Sequence, residues 1–130
     1  LYRSGLLLAG ANNNSSNGIN DGILTAFEIS KLDLHTLDLV ILSACETGLG
    51  DIQGSEGVYG LQRAFKIAGA KSVIMSLWKV PDCQTSELMQ LFYKNYISGN
   101  SKQMSLSLAQ KELRNKYKNP FYWAAFTVME

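Results

Sequence analysis

Cysteine is scarce in this chain. Only Cys45 and Cys83 occur among 130 residues. Two thiols cannot build a disulfide framework, and the usage fits a reducing, intracellular setting. Histidine is scarcer still, with His35 alone. No His/Cys/Asp cluster has metal-ligand spacing, so neither a metal nor another cofactor is expected. Charge of one sign is not in excess, since 12 Lys and Arg stand against 11 Asp and Glu. That balance argues against a general electrostatic grip on nucleic acid or on an anionic membrane. The longest apolar run, residues 121–126, has six residues, too short to span a bilayer. No leader-like stretch opens the chain. Leu1-Tyr2-Arg3-Ser4 passes straight into a strand-like run, and a first residue other than Met reads as a piece of something longer. What remains is globular composition on the scale of one domain, with 46% hydrophobic and 18% charged residues.

Four apolar runs stand out: Leu6-Leu7-Leu8-Ala9, Leu39-Val40-Ile41-Leu42, Val73-Ile74-Met75 with Leu77, and residues 122–128. The first three lack apolar/polar alternation and are bounded by Gly, Asn or Asp. Strands buried on both faces of a parallel sheet read this way. Helical spacing lies between them. Residues 25–31 make a short helix. Val58, Leu61, Phe65 and Ala68 mark a second, ending at Gly69. Leu88, Leu91, Phe92, Tyr96 and Ile97 mark a third, from about Asp82. Leu106, Ala109, Leu113 and Tyr117 mark a fourth, capped by Asn100 or Ser101. Strands alternating with helices predict an α/β fold: a mainly parallel sheet flanked by helices on both faces. Short crossovers should place residues 6–9 and 73–77 on either side of 39–43. Four strands are few for such a sheet, so amino-terminal strands are expected to be missing.

Ligands of open parallel sheets meet the loops at the carboxyl ends of the strands. Here those loops are residues 10–22, 45–56 and 78–83. The second opens Ser43-Ala44-Cys45-Glu46-Thr47-Gly48-Leu49-Gly50. A thiol just past a buried strand, followed by turn glycines, is placed for nucleophilic attack with backbone N–H groups near an oxyanion. Position alone points first to a small buried cysteine closing a strand. The glycines lack the spacing of a phosphate loop. Gln53 stands where the third glycine of G-x-G-x-x-G belongs, and Ala70 separates Gly69 from Lys71. Nor is His35 a base for Cys45. It precedes the strand that Cys45 follows, which sets them about 25–30 Å apart at ~3.3 Å per residue. An exposed loop histidine is the expectation.

The run from Leu39 through Cys45 to Gly50 resembles the signature of CHAT domains, caspase-like cysteine peptidases often fused to tetratricopeptide repeats. The likeness continues through Gly57-Val58-Tyr59-Gly60-Leu61, Ser76-Leu77-Trp78-Lys79-Val80-Pro81-Asp82 and Pro120-Phe121-Tyr122-Trp123-Ala124-Ala125-Phe126, and covers nearly the whole chain. The resemblance implies that Cys45 is the nucleophile, with its own N–H in the oxyanion hole. The family's histidine comes in a His-Gly pair upstream of Leu1. Residues 1–130 therefore resemble the carboxyl-terminal half of a bacterial-type CHAT cysteine endopeptidase, inactive alone. The implied partners are a protein or peptide substrate, the missing half of the domain and tetratricopeptide repeats, with self-association through an exposed sheet edge.

The substrate pocket implied by the resemblance falls on the loop from Trp78 to Cys83. Asp82 offers a carboxylate to a basic substrate residue, although its position before a helical run favours N-capping. Ser86 stands where the related separases carry an acid that selects Arg. Trp78 suits a packing role equally well. Two alternatives from other classes remain. One is a pseudo-enzyme that serves as a caspase-like interaction module. The other is a nucleotide-binding α/β domain resting on glycines alone.

Overall fold

The structure is a computed structural model. It describes residues 4–9, 11, 22–43 and 55–130, with the backbone alone at 55–58. The chain has an α/β fold whose elements follow in the order β1 (Gly5–Leu7), β2 (Ile23–Thr25), α1 (Ala26–Ile29), β3 (Leu39–Leu42), α2 (Ser55–Ile67), β4 (Ser72–Ser76), α3 (Asp82–Ile97), α4 (Lys102–Lys116) and β5 (Phe126–Met129). A 3-10 turn, Pro120–Tyr122, precedes β5. The chain divides into two compact units. One comprises Leu1–Val40 with Glu46–Val73, and the other Ile41–Cys45 with Ile74–Glu130.

In the first unit, β1 and β2 pair antiparallel, with Gly5 opposite Thr25 and Leu7 opposite Ile23. This corrects the expectation that residues 6–9 flank β3 in a parallel sheet. Strands close in sequence lose less entropy on pairing than strands brought together by a crossover. The hairpin continues past β1, where the Leu8 N–H donates to the Gly22 carbonyl at 2.7 Å. Nor is this run buried on both faces, since Leu7 is 60% and Leu8 52% exposed. Thr25 then starts α1 with a capping box. Its Oγ1 accepts from the Glu28 N–H (3.2 Å), and its own N–H donates to the Glu28 carboxylate (2.8 Å). The Thr25 hydroxyl, which donates to the Glu28 carboxylate at 2.7 Å, and then the Thr25 N–H hold the Glu28 carboxyl below its usual range. Of the predicted stripe of α2, Leu61, Phe65 and Ala68 are buried and Ala64 joins them, while the Val58 side chain lies outside the described residues.

The sheet order is β3-β4-β5. The Lys71 N–H donates to the Leu37 carbonyl at 3.0 Å, just ahead of both strands. β3 and β4 therefore set off from one end and run parallel, as predicted. The Leu77 N–H donates to the Ala125 carbonyl at 2.8 Å. β5 thus begins where β4 ends and runs antiparallel. Residues 122–125, expected within the last strand, instead complete the 3-10 turn and lead into β5. Asn119 starts that turn by accepting the Phe121 N–H on its side chain at 3.0 Å.

All five residues of β4 are buried. In the second unit α3 packs against α4, with Leu88, Phe92, Leu106, Ala109 and Leu113 at their buried contacts. Ser101 caps α4 by accepting the Met104 N–H at 3.2 Å. Tyr93, beside the buried Phe92 in sequence, lies on the exposed side of α3.

Two glycines end helices with positive φ: Gly69 after α2 (φ 102°) and Gly99 after α3 (φ 96°). A side chain at either position strains the backbone by ~1–2 kcal/mol. At Gly69 a Cβ would also lie 2.8 Å from the His35 ring, whereas at Gly99 it meets nothing within 4 Å. Gly69→Ala should therefore destabilise more than Gly99→Ala in urea unfolding. In a His35→Ala background the two should cost the same. A persisting difference would place the excess somewhere other than the ring.

Candidate functional site

The substrate-facing loop suggested by the sequence, residues 78–83, leaves the end of β4. Its first residue is pinned, since the Trp78 indole N–H donates to the Phe121 carbonyl at 2.9 Å. The two rings stack at 6.5 Å and 24°. Phe121 is nevertheless 45% exposed. A rigidly anchored ring left open to water is a ready contact for an apolar group. Val80 turns inward and is buried.

Asp82 does not cap α3, contrary to the preference drawn from sequence. The cap position is Pro81 (φ −56°, ψ 144°), and no side chain accepts a helix N–H there. Proline fixes φ near −65° and lacks a donor, so it can precede the first turn without help. Asp82 becomes the first helical residue, exposed, with no hydrogen bond or ion pair to a described residue. Ser86 follows one turn later on the same face of the helix. It is exposed, and its Oγ accepts from the Gln90 side chain at 3.3 Å. The structure therefore brings Trp78, Asp82 and Ser86 onto one loop and the helix start that follows it. Cys45, the expected nucleophile, lies outside the described residues. Cys83 carries a free, exposed thiol.

His35 is an exposed loop residue, as predicted. Its Nδ1 lies 2.7 Å from the Asp33 carboxylate, with the side chains 78% and 88% exposed. The hydrogen bond to His35 holds the Asp33 carboxyl below its usual range.

Sequence reasoning missed Glu87. Both its oxygens accept from Lys116 Nζ at 2.8 Å, and the Tyr117 hydroxyl donates to it at 3.0 Å. The thiol of Cys83 lies 3.9 Å away. The bond from Lys116, and then that from Tyr117, hold the Glu87 carboxyl below its usual range, and the same contacts raise Lys116. Lys116 is 29 residues further on, so no helical spacing signals the pair. Glu87 and Lys116 also border a crevice of about 350 Å³ between α3 and α4, floored by Leu91 and Leu113. That crevice includes none of Trp78, Asp82 and Ser86. Among the described residues no group of acidic, His and Cys side chains has the arrangement of a metal site, and no helix is long and apolar enough to cross a membrane.

Comparison with known proteins adds family information. The model of the CHAT domain family matches residues 1–130. Tetratricopeptide repeat protein 28 of Mus musculus is 32% identical over 109 residues, and tetratricopeptide repeat protein 28 of Homo sapiens is 30% identical over 109. Each match covers 82% of this chain and 4% of the relative. The chain thus spans a small fraction of the length of these curated relatives.

The Glu87 contacts carry a pH signature. A carboxyl with a depressed folded pKa stabilises above its ordinary value, and that contribution is lost as pH falls through the depressed value. Lys116, raised in the folded chain, contributes at neutral pH and loses that contribution only as pH climbs through its raised value. The urea midpoint should therefore fall as pH drops below about 4.3, the ordinary glutamate value. Glu87→Gln should flatten that acid limb while lowering the midpoint at pH 7. An unchanged acid limb would show that the ion pair contributes nothing to folding.

Proposed function

This chain belongs to the CHAT domain family, and on that premise we propose that it carries the nucleophile, Cys45, of a caspase-like cysteine endopeptidase. The observation that carries the reading is the family motif ending in Cys45-Glu46-Thr47-Gly48, set directly after β3 of an α/β fold. The proposed chemistry is acyl transfer. The Cys45 sulfur attacks the scissile carbonyl, a C–S bond forms, and the carbonyl oxygen is held by backbone N–H groups that include that of Cys45. The C–N bond then breaks, and the amine leaves with a proton from the general acid. Water cleaves the thioester, releasing the acid and restoring the thiol.

The general base belongs, in this reading, to the upstream part of the domain. His35 is engaged with Asp33 in an exposed loop. The carboxylates of the 78–87 region are no substitute, because a nearby negative charge disfavours thiolate. Residues 1–130 then hold the nucleophile and the substrate loop of a partial CHAT domain, and tetratricopeptide repeats accompany it in the whole protein. The exposed Leu7 and Leu8 of β1 support covering of that strand by the upstream part. On the substrate side, the uncapped carboxylate of Asp82 supports selection of a basic residue, with the Trp78 and Phe121 rings beside the loop for its apolar stem. The alternative reading is a non-cutting, caspase-like interaction module.

In the full-length protein, peptides with a basic residue before the scissile bond should be cut. Cys45→Ala should remove roughly three orders of magnitude or more of the rate. Asp82→Asn should raise KM for the basic peptides about tenfold, the equivalent of ~1.4 kcal/mol, and leave neutral ones unchanged. The 130-residue segment alone should not turn over. Cleavage by the segment that depends on Cys45 would show that a base lies within it. Full-length protein that binds but never cuts would favour the interaction module.

A further inference from the structure

One short stretch of chain holds the 78–83 loop at both ends. At the near end, Trp78 is bonded to the Phe121 carbonyl and stacked on its ring. At the far end, α3 is held one turn inside its start, where Glu87 takes Lys116 and the Tyr117 hydroxyl. The two anchors are joined to each other. Tyr117 packs on Tyr122 with ring centroids 5.6 Å apart, and Tyr122 meets Phe121 edge to face at 5.5 Å. Phe121 itself is fixed at both backbone polar groups, by Asn119 at its N–H and by Trp78 at its carbonyl. The contacts therefore close a circuit around the loop, running from Trp78 through Phe121, Tyr122 and Tyr117 to Glu87.

Such a brace has a function beyond stability. Asp82 is the first residue of α3 and makes no hydrogen bond or ion pair of its own to the described residues. Its carboxylate is placed only by the helix that carries it. That helix start is placed by Glu87, which lies just over one turn along. Charge-assisted bonds to both neighbours fix Glu87 more firmly than neutral bonds would. We propose that Tyr117 is a positioning residue, whose hydroxyl and ring together hold the 78–83 loop so that Asp82 meets the substrate's basic side chain. The proposal rests on the peptidase reading given above. Through Tyr117, α4 sets the selectivity of a loop that it does not itself form.

The test uses the full-length protein with two peptides differing only before the scissile bond, arginine against its neutral isostere norleucine. Tyr117→Phe keeps the ring and removes the hydroxyl. It should lower the ratio of kcat/KM for arginine over norleucine about fivefold, through KM, with kcat within twofold. Leu106→Val, in the buried face of α4 away from the brace, should leave the ratio unchanged. Hydrogen exchange of the 79–85 amides, read on the same protein, should quicken several-fold in Tyr117→Phe and in Glu87→Gln but not in Leu106→Val. Unchanged exchange in both brace variants overturns the proposal, as does faster exchange with an unaltered selectivity ratio. Wild-type protein without Cys45-dependent cleavage would sink the peptidase reading instead. The exchange measurement would then still decide whether the brace holds the loop.

Discussion

The three-stranded sheet depends on the burial of β4. All five of its residues are withdrawn from water, with Val73, Ile74 and Met75 fully enclosed. Side chains of that size stabilise by ~1.5–3 kcal/mol each when removed from solvent. A strand so buried must also satisfy its backbone, and it does so with β3 on one side and β5 on the other. Its two buried serines lie at the ends, where Ser76 turns its hydroxyl back to the Trp78 carbonyl. The end of β4 is therefore a fixed point, and the 78–83 loop starts on it. A loop that rises from a fixed strand can present side chains to a ligand without first being ordered by it.

Electrostatics act on that loop from behind. In the ion pair of Glu87 with Lys116 both carboxylate oxygens are engaged. It lies between two helices whose apolar faces are already packed, and Glu87 is 28% exposed. Partial shielding makes such a pair more effective than a fully solvated one, yet well short of a buried one. Its value lies in direction more than in energy. Apolar packing leaves a helix some freedom to slide and turn, whereas Lys116 and the Tyr117 hydroxyl, converging on one carboxylate, favour one placement of α3 against α4. The neighbouring aromatic rings extend this constraint to Trp78.

Much of this was legible in the sequence, for local reasons. The buried run at 73–75 marked β4, the apolar spacing marked α2, α3 and α4, and Ser101 and Gly69 marked helix ends, because each signal is carried by residues within a few positions. β2 escaped notice, since its three residues run directly into the cap of α1 and pair through a hairpin. Leu6 to Leu8 looked like a buried strand because an apolar run does not say how many of its faces find partners. Asp82 looked like a cap, but the proline before it had already taken the cap position. The Glu87 hub was invisible because its partners come from another helix. The family motif around Cys45 was the strongest chemical signal in the chain, and it lies outside the described residues.

On the proposed reading Cys45, not Cys83, is the nucleophile served by the 78–83 loop. The most direct measurement is covalent labelling of the full-length protein with a peptide that carries a basic residue ahead of an acyloxymethyl ketone, followed by peptide mapping. Cys45 should carry the label, and an unreactive peptide of the same sequence should block it. Cys83, though exposed, should stay unlabelled at that dose while still reacting with iodoacetamide. A label on Cys83, or one on Cys45 that ignores the competing peptide, would contradict that reading.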